Sequence, residues 1–399
     1  MAMTTLRLRD LARLFLHLGS TAYGGLAMVE PMRRRVVEDA GWLSQKEFLD
    51  GLALCQLLPG ATVVQLAAYI GLRLRGWRGS LLAAGAFVGP AFILMLGFSL
   101  LYFHFGNLPW VKSVSRGLNA MVIALVLTTL WRLAEAMGRQ VADLAAAALS
   151  LAALAVGANY LLVFLAAGLF RLALAWLAGE GKSAGGLETP PASAAPRAGH
   201  LAIQTLTGLG AAALLLWGLN HWDRVLAQLT WIFLKIGIIS FGGGYVMIPI
   251  LQWEVVDHLR WLTLRQFLDG IMLSYVTPGP LLILAVFVGF SIRGLGAAAL
   301  VTIAVFLPPV LLIIFFSPFY HQIKESRWVR PALQGILASL VGMLALVAAQ
   351  LARATLVSFT DLVLMAASLT ALLVFRVELR YLAPAVAAAS LLLFGSGGP

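Results

Sequence analysis

The stretch Trp42-Leu43-Ser44-Gln45-Lys46-Glu47-Phe48-Leu49-Asp50-Gly51 returns 219 residues later as Trp261-Leu262-Thr263-Leu264-Arg265-Gln266-Phe267-Leu268-Asp269-Gly270. Both copies run on to a Pro-Gly pair, Pro59-Gly60 and Pro278-Gly279. Upstream, Phe15-Leu16-His17-Leu18-Gly19, then Gly24-Gly25 and Pro31, match Phe233-Leu234-Lys235-Ile236-Gly237, then Gly242-Gly243-Gly244 and Pro249, at an offset of 218. Downstream, Gly71/Gly289, Gly76/Gly294, Pro90/Pro308 and Gly117/Gly335 keep that offset. Chance does not hold glycines and prolines in step over such a length, so the chain is an internal duplication.

Each copy of the stretch carries a capping-box pattern, Ser44-x-x-Glu47 and Thr263-x-x-Gln266, which predicts a helix starting just after Ser44 and Thr263. About 14 residues remain before the Pro-Gly pair, roughly 21 Å of helix, too short to cross a bilayer. Proline removes a backbone donor and glycine frees the chain, so the helix breaks there and a second apolar stretch follows. Each half therefore holds a helix–break–helix, either a re-entrant hairpin or an interrupted span. Unpaired backbone at membrane depth is tolerated only where protein buries it or a wet cavity meets it. Interrupted segments at matching places in two halves point to a transporter's binding site. Pro59, Gly60, Pro278, Gly279 and Pro280 are thus substrate-lining candidates, as are the clusters Gly24-Gly25 and Gly242-Gly243-Gly244. The alternative for the glycines is close helix packing.

The composition requires a membrane. The 399 residues are 61% hydrophobic and 11% charged, against about 25% charged in soluble domains. Apolar runs at Leu81–Phe103, Ala120–Trp131, Val141–Trp176 and Ala297–Phe316 supply material for spans. The start, with Arg7, Arg9, Asp10 and Arg13, runs into a mixed segment without a small-residue cleavage site, so no cleavable signal peptide is expected. A net charge of +11 would suggest nucleic acid in a soluble protein; here the cations read as flanks of membrane spans, and no nucleic acid partner is expected. Cys55 is the single cysteine, which excludes a disulfide within the chain and a cysteine metal cluster.

The expected fold is an all-α polytopic membrane protein with two homologous halves as an inverted-topology repeat. Residues 1–178 form the first repeat, 179–200 a Gly/Ser/Ala/Pro-rich polar linker, and 201–399 the second repeat with one extra leading helix. Charge carries the inversion: basic residues crowd the loops around the first break, including Arg33 to Arg35, Lys46, Arg73, Arg75 and Arg78, while in the second half the bias shifts to the alternate loops. The extra apolar segment Leu201–Leu219 would invert all that follows. A nucleotide loop at Gly181-Lys182-Ser183 is rejected, because Trp176 stands where a glycine is needed.

Catalytic and metal signatures are missing: there is no HExxH, no GxSxG and no paired metal spacing among the histidines. Asp50 and Asp269 hold equivalent positions in the broken helices, and with His17 they are candidates for proton coupling; the alternative for the carboxylates is a charge near a positive helix end. Lys235, in a span of otherwise apolar residues just before the glycine cluster, is a candidate for anion contact. Arg73, Arg75 and Arg78 either add positive potential for an anion or simply mark the cytoplasmic side.

The paired Phe-Leu-x-Leu/Ile-Gly motifs, the glycine clusters, Trp-Leu…Phe-Leu-Asp-Gly and the Pro-Gly breaks together resemble the two-domain form of the chromate ion transporter family. The resemblance spans nearly the whole chain. It implies export of chromate, with sulfate as a mimic, across a bacterial cytoplasmic membrane and powered by the proton motive force. The first break carries Ala61 where the second carries Pro280, a departure from symmetry. A passive anion channel, or a membrane enzyme acting on lipid phosphate, are the alternatives; the residues after the breaks, Ala61 to Val64 and Pro280 to Ile283, offer no nucleophile or phosphate clamp for the enzyme. The partners expected are the oxyanion, the lipid bilayer and a second copy of the chain in a homodimer. No cofactor and no metal are expected.

Overall fold

The computed structural model describes residues 7–21, 28–106, 108–138, 140–177, 210, 218–219, 221–240, 244, 247–320 and 328–394. Linker 179–200 and most of segment 201–219 lie outside them, as do Gly24, Gly25, Gly242 and Gly243.

The first half forms α1 (Leu8–Thr21), α2 (Val29–Arg33), α3 (Gln45–Leu57), α4 (Thr62–Phe105), α5 (Pro109–Met137), α6 (Val141–Ala155) and α7 (Tyr160–Leu177). The second half repeats the series in order: α8 (Arg224–Ile239), α9 (Met247–Gln252), α10 (Leu264–Val276), α11 (Leu284–Phe316), α12 (Val329–Thr355), α13 (Phe359–Leu373) and α14 (Leu379–Phe394). A π-helical turn follows α2 at Arg34–Asp39 and another follows α9 at Trp253–His258. The duplication read from the motifs is therefore a duplication of structure. By length and composition α4, α5, α7, α11 and α12 are long and apolar enough to cross a membrane.

Both capping boxes form. Ser44 Oγ accepts from the Glu47 N–H while the Glu47 carboxylate accepts from the Ser44 N–H, and Thr263 and Gln266 exchange the same pair. These bonds fix where α3 and α10 begin.

The first broken helix folds back on itself as a hairpin. Arg73, near the end of the arm that follows Pro59-Gly60, bonds Glu47 in the first turn of α3 at 2.9 Å. Tyr69 sits where a Cβ at Gly51 would be. The second arm therefore returns to the side from which the first entered. The chain then doubles back again. At Arg75 and Gly76 the φ angles are −142° and +64°, and at Arg293 and Gly294 they are −140° and +73°. In a straight helix Gly71 and Gly79 would be about 12 Å apart. Instead a Cβ on Gly71 would strike the carbonyl of Gly79, and a Cβ on Gly289 would strike Ala298 and Val301. So α4 and α11 are each a short arm, a turn and a long arm. The turn needs a positive φ, which glycine reaches without a Cβ clash.

The chain packs as two compact units, and both halves contribute to each. One comprises the described parts of Met1–His104, Pro190–Met247 and Leu273–Tyr320; the other comprises those of Phe105–Thr189, Ile248–Met272 and His321–Pro399. In the first unit the same crossing occurs twice: Gly19 of α1 lies against the backbone of Phe87, and Gly237 of α8 against that of Val305.

In the second unit the repeats exchange partners. α5 packs on α13 and α14, and its counterpart α12 packs on α6 and α7. Glycines make the approach close: Gly117 of α5 meets Ser390, and Gly335 of α12 meets the backbone of Ala167. Lys112 and Arg116 at the start of α5 share one cavity with Ala354 and Thr355 at the end of α12. At the other end Arg171 bonds both Gln140, just past α5, and Gln334, early in α12. The two equivalent helices therefore run antiparallel.

Two buried acids anchor this exchange. Asp143 opens α6 and lies 2.8 Å from Arg171 of α7, with both side chains buried. Its counterpart Asp361 opens α13 and is held by Arg116 through two bonds of 2.8 and 3.0 Å. A carboxylate at a helix start is favoured by the dipole, and burial is tolerated because each has a cation.

Candidate functional site

The two chain breaks lie in the first unit, and apart from the half-buried Pro59 they are buried. Pro278, Gly279 and Pro280 are inaccessible, and so is the run from Gly60 to Gly71. Gly60 has φ +134° and Gly279 φ +128°, conformations that side-chain-bearing residues rarely adopt. A Cβ on Gly60 would meet Pro309 of the second half; one on Gly279 would meet Ala91 of the first. Ala91 and Pro309 stand at equivalent positions, each following the matched prolines Pro90 and Pro308. Each break is thus seated on the long arm of the opposite repeat.

The freed backbone groups find specific partners, as burial requires. The Gly60 N–H donates to the Ser240 carbonyl at 2.6 Å, and the Pro59 carbonyl accepts from Gln65 Nε2 at 2.7 Å. At the second break the Leu273 carbonyl accepts from both the N–H and the hydroxyl of Thr277, while the Pro280 carbonyl accepts from the Ile283 N–H. That last bond belongs to a 3-10 turn, Leu281–Ile283, which delays α11 until Leu284, whereas α4 starts at Thr62 directly. Pro280 and its counterpart Ala61 each stand immediately before the first helical residue. The departure from symmetry seen in the sequence is real in the backbone.

Ser240 ends α8 immediately before the Gly242 to Gly244 cluster, and a Cβ on Gly244 would meet Leu282 beyond Pro280. The structure therefore gathers Pro59, Gly60, Ser240, Gly244 and Pro278 to Pro280 in one unit. The first break alone has polar side chains in the following arm, Thr62 and Gln65; the second has Leu281 and Leu284. Gln65 is wholly buried, and its Oε1 has no hydrogen-bond partner among the described residues.

Other candidates fall elsewhere. His17 is exposed on α1, and Asp50 is half-buried with the Tyr320 hydroxyl 3.5 Å away. Lys235 is half-buried on α8. Arg73 is occupied by Glu47, Arg75 forms the turn of α4, and Arg78 stacks beside Trp77. Asp269 lies in the second unit, 2% exposed, where its Oδ1 accepts from Asn119 Nδ2 at 2.8 Å. Sequence reading missed Gln65, Ser240 and Asn119, which become notable only through their partners. It also missed Asp143 and Asp361, although their spacing of 218 was available as a signal.

With this geometry in place, comparison with known proteins decides the family. The profile described as Chromate transporter matches the chain twice, over residues 9–172 and 227–394. The chain belongs to the chromate transporter family. It is a multi-pass membrane protein of a transporter family rather than an enzyme. It is 31% identical to an uncharacterised transporter of Methanocaldococcus jannaschii, over 83% of this chain and 81% of the relative. A chromate transport protein of Cupriavidus metallidurans is 30% identical, over 93% and 89%. One from Pseudomonas aeruginosa is 32% identical, over 86% and 80%. No solved structure matches the chain.

Proposed function

We propose that this member of the chromate transporter family exports chromate, with sulfate as a competing mimic, driven by the proton motive force. The observation that carries the reading is the convergence of both Pro-Gly breaks with Ser240 and Gly244 in one unit. The paired breaks create helix starts at Thr62 and Leu281, which suit an oxyanion without mobile charge. Thr62 and Gln65 make the first break its polar wall. Energetics favour the outward direction: an interior-negative potential of 100 mV drives a dianion out with about 4.6 kcal/mol, twice the figure of about 2.3 per charge.

The halves are proposed to sit inverted in the membrane. The antiparallel run of α5 and α12 supports this, as does the charge change from Arg33-Arg34-Arg35 to Gln252-Trp253-Glu254 at equivalent places.

Proteoliposomes carrying the full chain test the function. Chromate flux is measured with and without an imposed pH gradient and potential, then with excess sulfate. Acceleration by the gradient and competition by sulfate are expected. Flux that follows the chromate concentration alone would mean a passive channel, and no flux would end the reading.

A further inference from the structure

We infer that the cavity between the start of α5, the start of α10 and the end of α12 is a second oxyanion site, holding a divalent tetrahedral anion. This rests on the transport reading above but concerns different residues in the other unit. The cavity has a volume of about 680 Å³ and is lined by Lys112, Arg116, Asn119, Arg265, Thr355 and Asp361 among others. That is room for a tetrahedral anion with part of its hydration shell.

The charge balance fits a dianion. Arg116 is committed: Asp361 takes its fork at 2.8 and 3.0 Å, Ser358 Oγ accepts a further bond at 3.0 Å, and its guanidinium lies 4.4 Å from the Phe394 ring centre. Lys112 and Arg265 are exposed and make no ion pair among the described residues. The lining itself therefore carries two more positive than negative charges, with the buried Asp269 carboxylate behind Asn119, and the positive excess suits an oxyanion such as chromate or sulfate. Arg116, held rigidly, keeps its remaining N–H edge in place, while Arg265 offers a planar fork suited to two oxygens.

Asn119 adds an open acceptor to the lining. It is 7% exposed, its Nδ2 donates to Asp269, and its Oδ1 has no partner among the described residues. A buried acceptor without a donor is normally met by water or ligand. A water from the hydration shell of a dianion in the cavity brings such a donor to it.

The test uses the full chain in lipid-free micelles, in liposomes of zwitterionic lipid, and in liposomes with anionic lipid added. Binding of radiolabelled chromate is measured by equilibrium dialysis, and transport is measured alongside. The variants are Lys112→Gln, Arg265→Gln, their double, and the conservative Lys112→Arg/Arg265→Lys pair. Tenfold or greater weakening of chromate affinity is expected in the double Gln variant, with the transport KM raised, and the conservative pair should stay near the parent. Unchanged affinity and KM in the double variant, with the parent transporting normally, would overturn this site and leave the transport reading intact. A parent that neither binds nor moves chromate would overturn both. A defect seen only when anionic lipid is added would make the cavity a headgroup site and overturn the inference.

Discussion

The backbone N–H of Gly60, in the first repeat, donates to the carbonyl of Ser240, in the second, at 2.6 Å. Gly60 also abuts Pro309, and Gly279 abuts Ala91 in return. The two breaks are therefore each held by the opposite half, so a change at one should be felt in both.

Gly60→Ala and Gly279→Ala should each lower stability by about 1–3 kcal/mol, because a side chain must hold a sparsely populated φ and its Cβ meets Pro309 or Ala91. Gly60→Leu and Gly279→Leu should abolish chromate flux. Gly85→Ala, where the space is open, should be neutral. Thermal unfolding in detergent and flux in liposomes check this; normal transport by both Leu variants would show that the breaks serve packing alone.

Gln65→Leu leaves the Pro59 carbonyl without its donor. The expected cost is about 1–3 kcal/mol for an unsatisfied buried acceptor, with a large loss of transport. Gln65→Glu should be worse than Leu for an anion passing that wall. Chromate flux measured against protein amount separates loss of folding from loss of function.

Glu47 and Arg73 should report on the hairpin. In a Cys55→Ser background, Glu47→Cys and Arg73→Cys should react with an impermeant thiol reagent from the same side, and a short bifunctional reagent should join them. Opposite-side labelling would contradict a re-entrant hairpin. Arg73→Ala itself should cost under about 1 kcal/mol, as exposed pairs do.

The buried pair of Arg171 and Asp143 should behave differently. Arg171→Leu or Asp143→Leu alone should destabilise by about 3–5 kcal/mol by stranding a charge. The double Leu variant should recover most of that. Unfolding midpoints of the set decide it, and equal loss in single and double variants would mean the pair does not act as a unit.

Orientation is tested at Asp39 and His258, equivalent and exposed positions in the two π-helical turns. As single cysteines in the Cys55→Ser background they should label from opposite faces. Labelling from one face would exclude inverted repeats.

Much of this was legible in the residues themselves. Helix starts at Ser44 and Thr263, the breaks at Pro59 and Pro278, and the duplication followed from capping chemistry, from the missing proline N–H and from the exact spacing of glycines. These are local properties, written within a few residues of where they act. The membrane setting followed from composition, since 11% charged residues cannot clothe a water-facing surface. Partners were not local, and only the tertiary structure decided them. It settled the hairpin through the contact of Glu47 with Arg73, and assigned Arg116 to Asp361 across 245 residues. It mixed both halves into each compact unit, so that neither repeat is a packing unit by itself. It also showed that Asp50 and Asp269, identical in sequence context, face Tyr320 and Asn119 respectively. A side chain's type is fixed by its codon, but its electrostatic role depends on what the fold brings within about 3 Å of it.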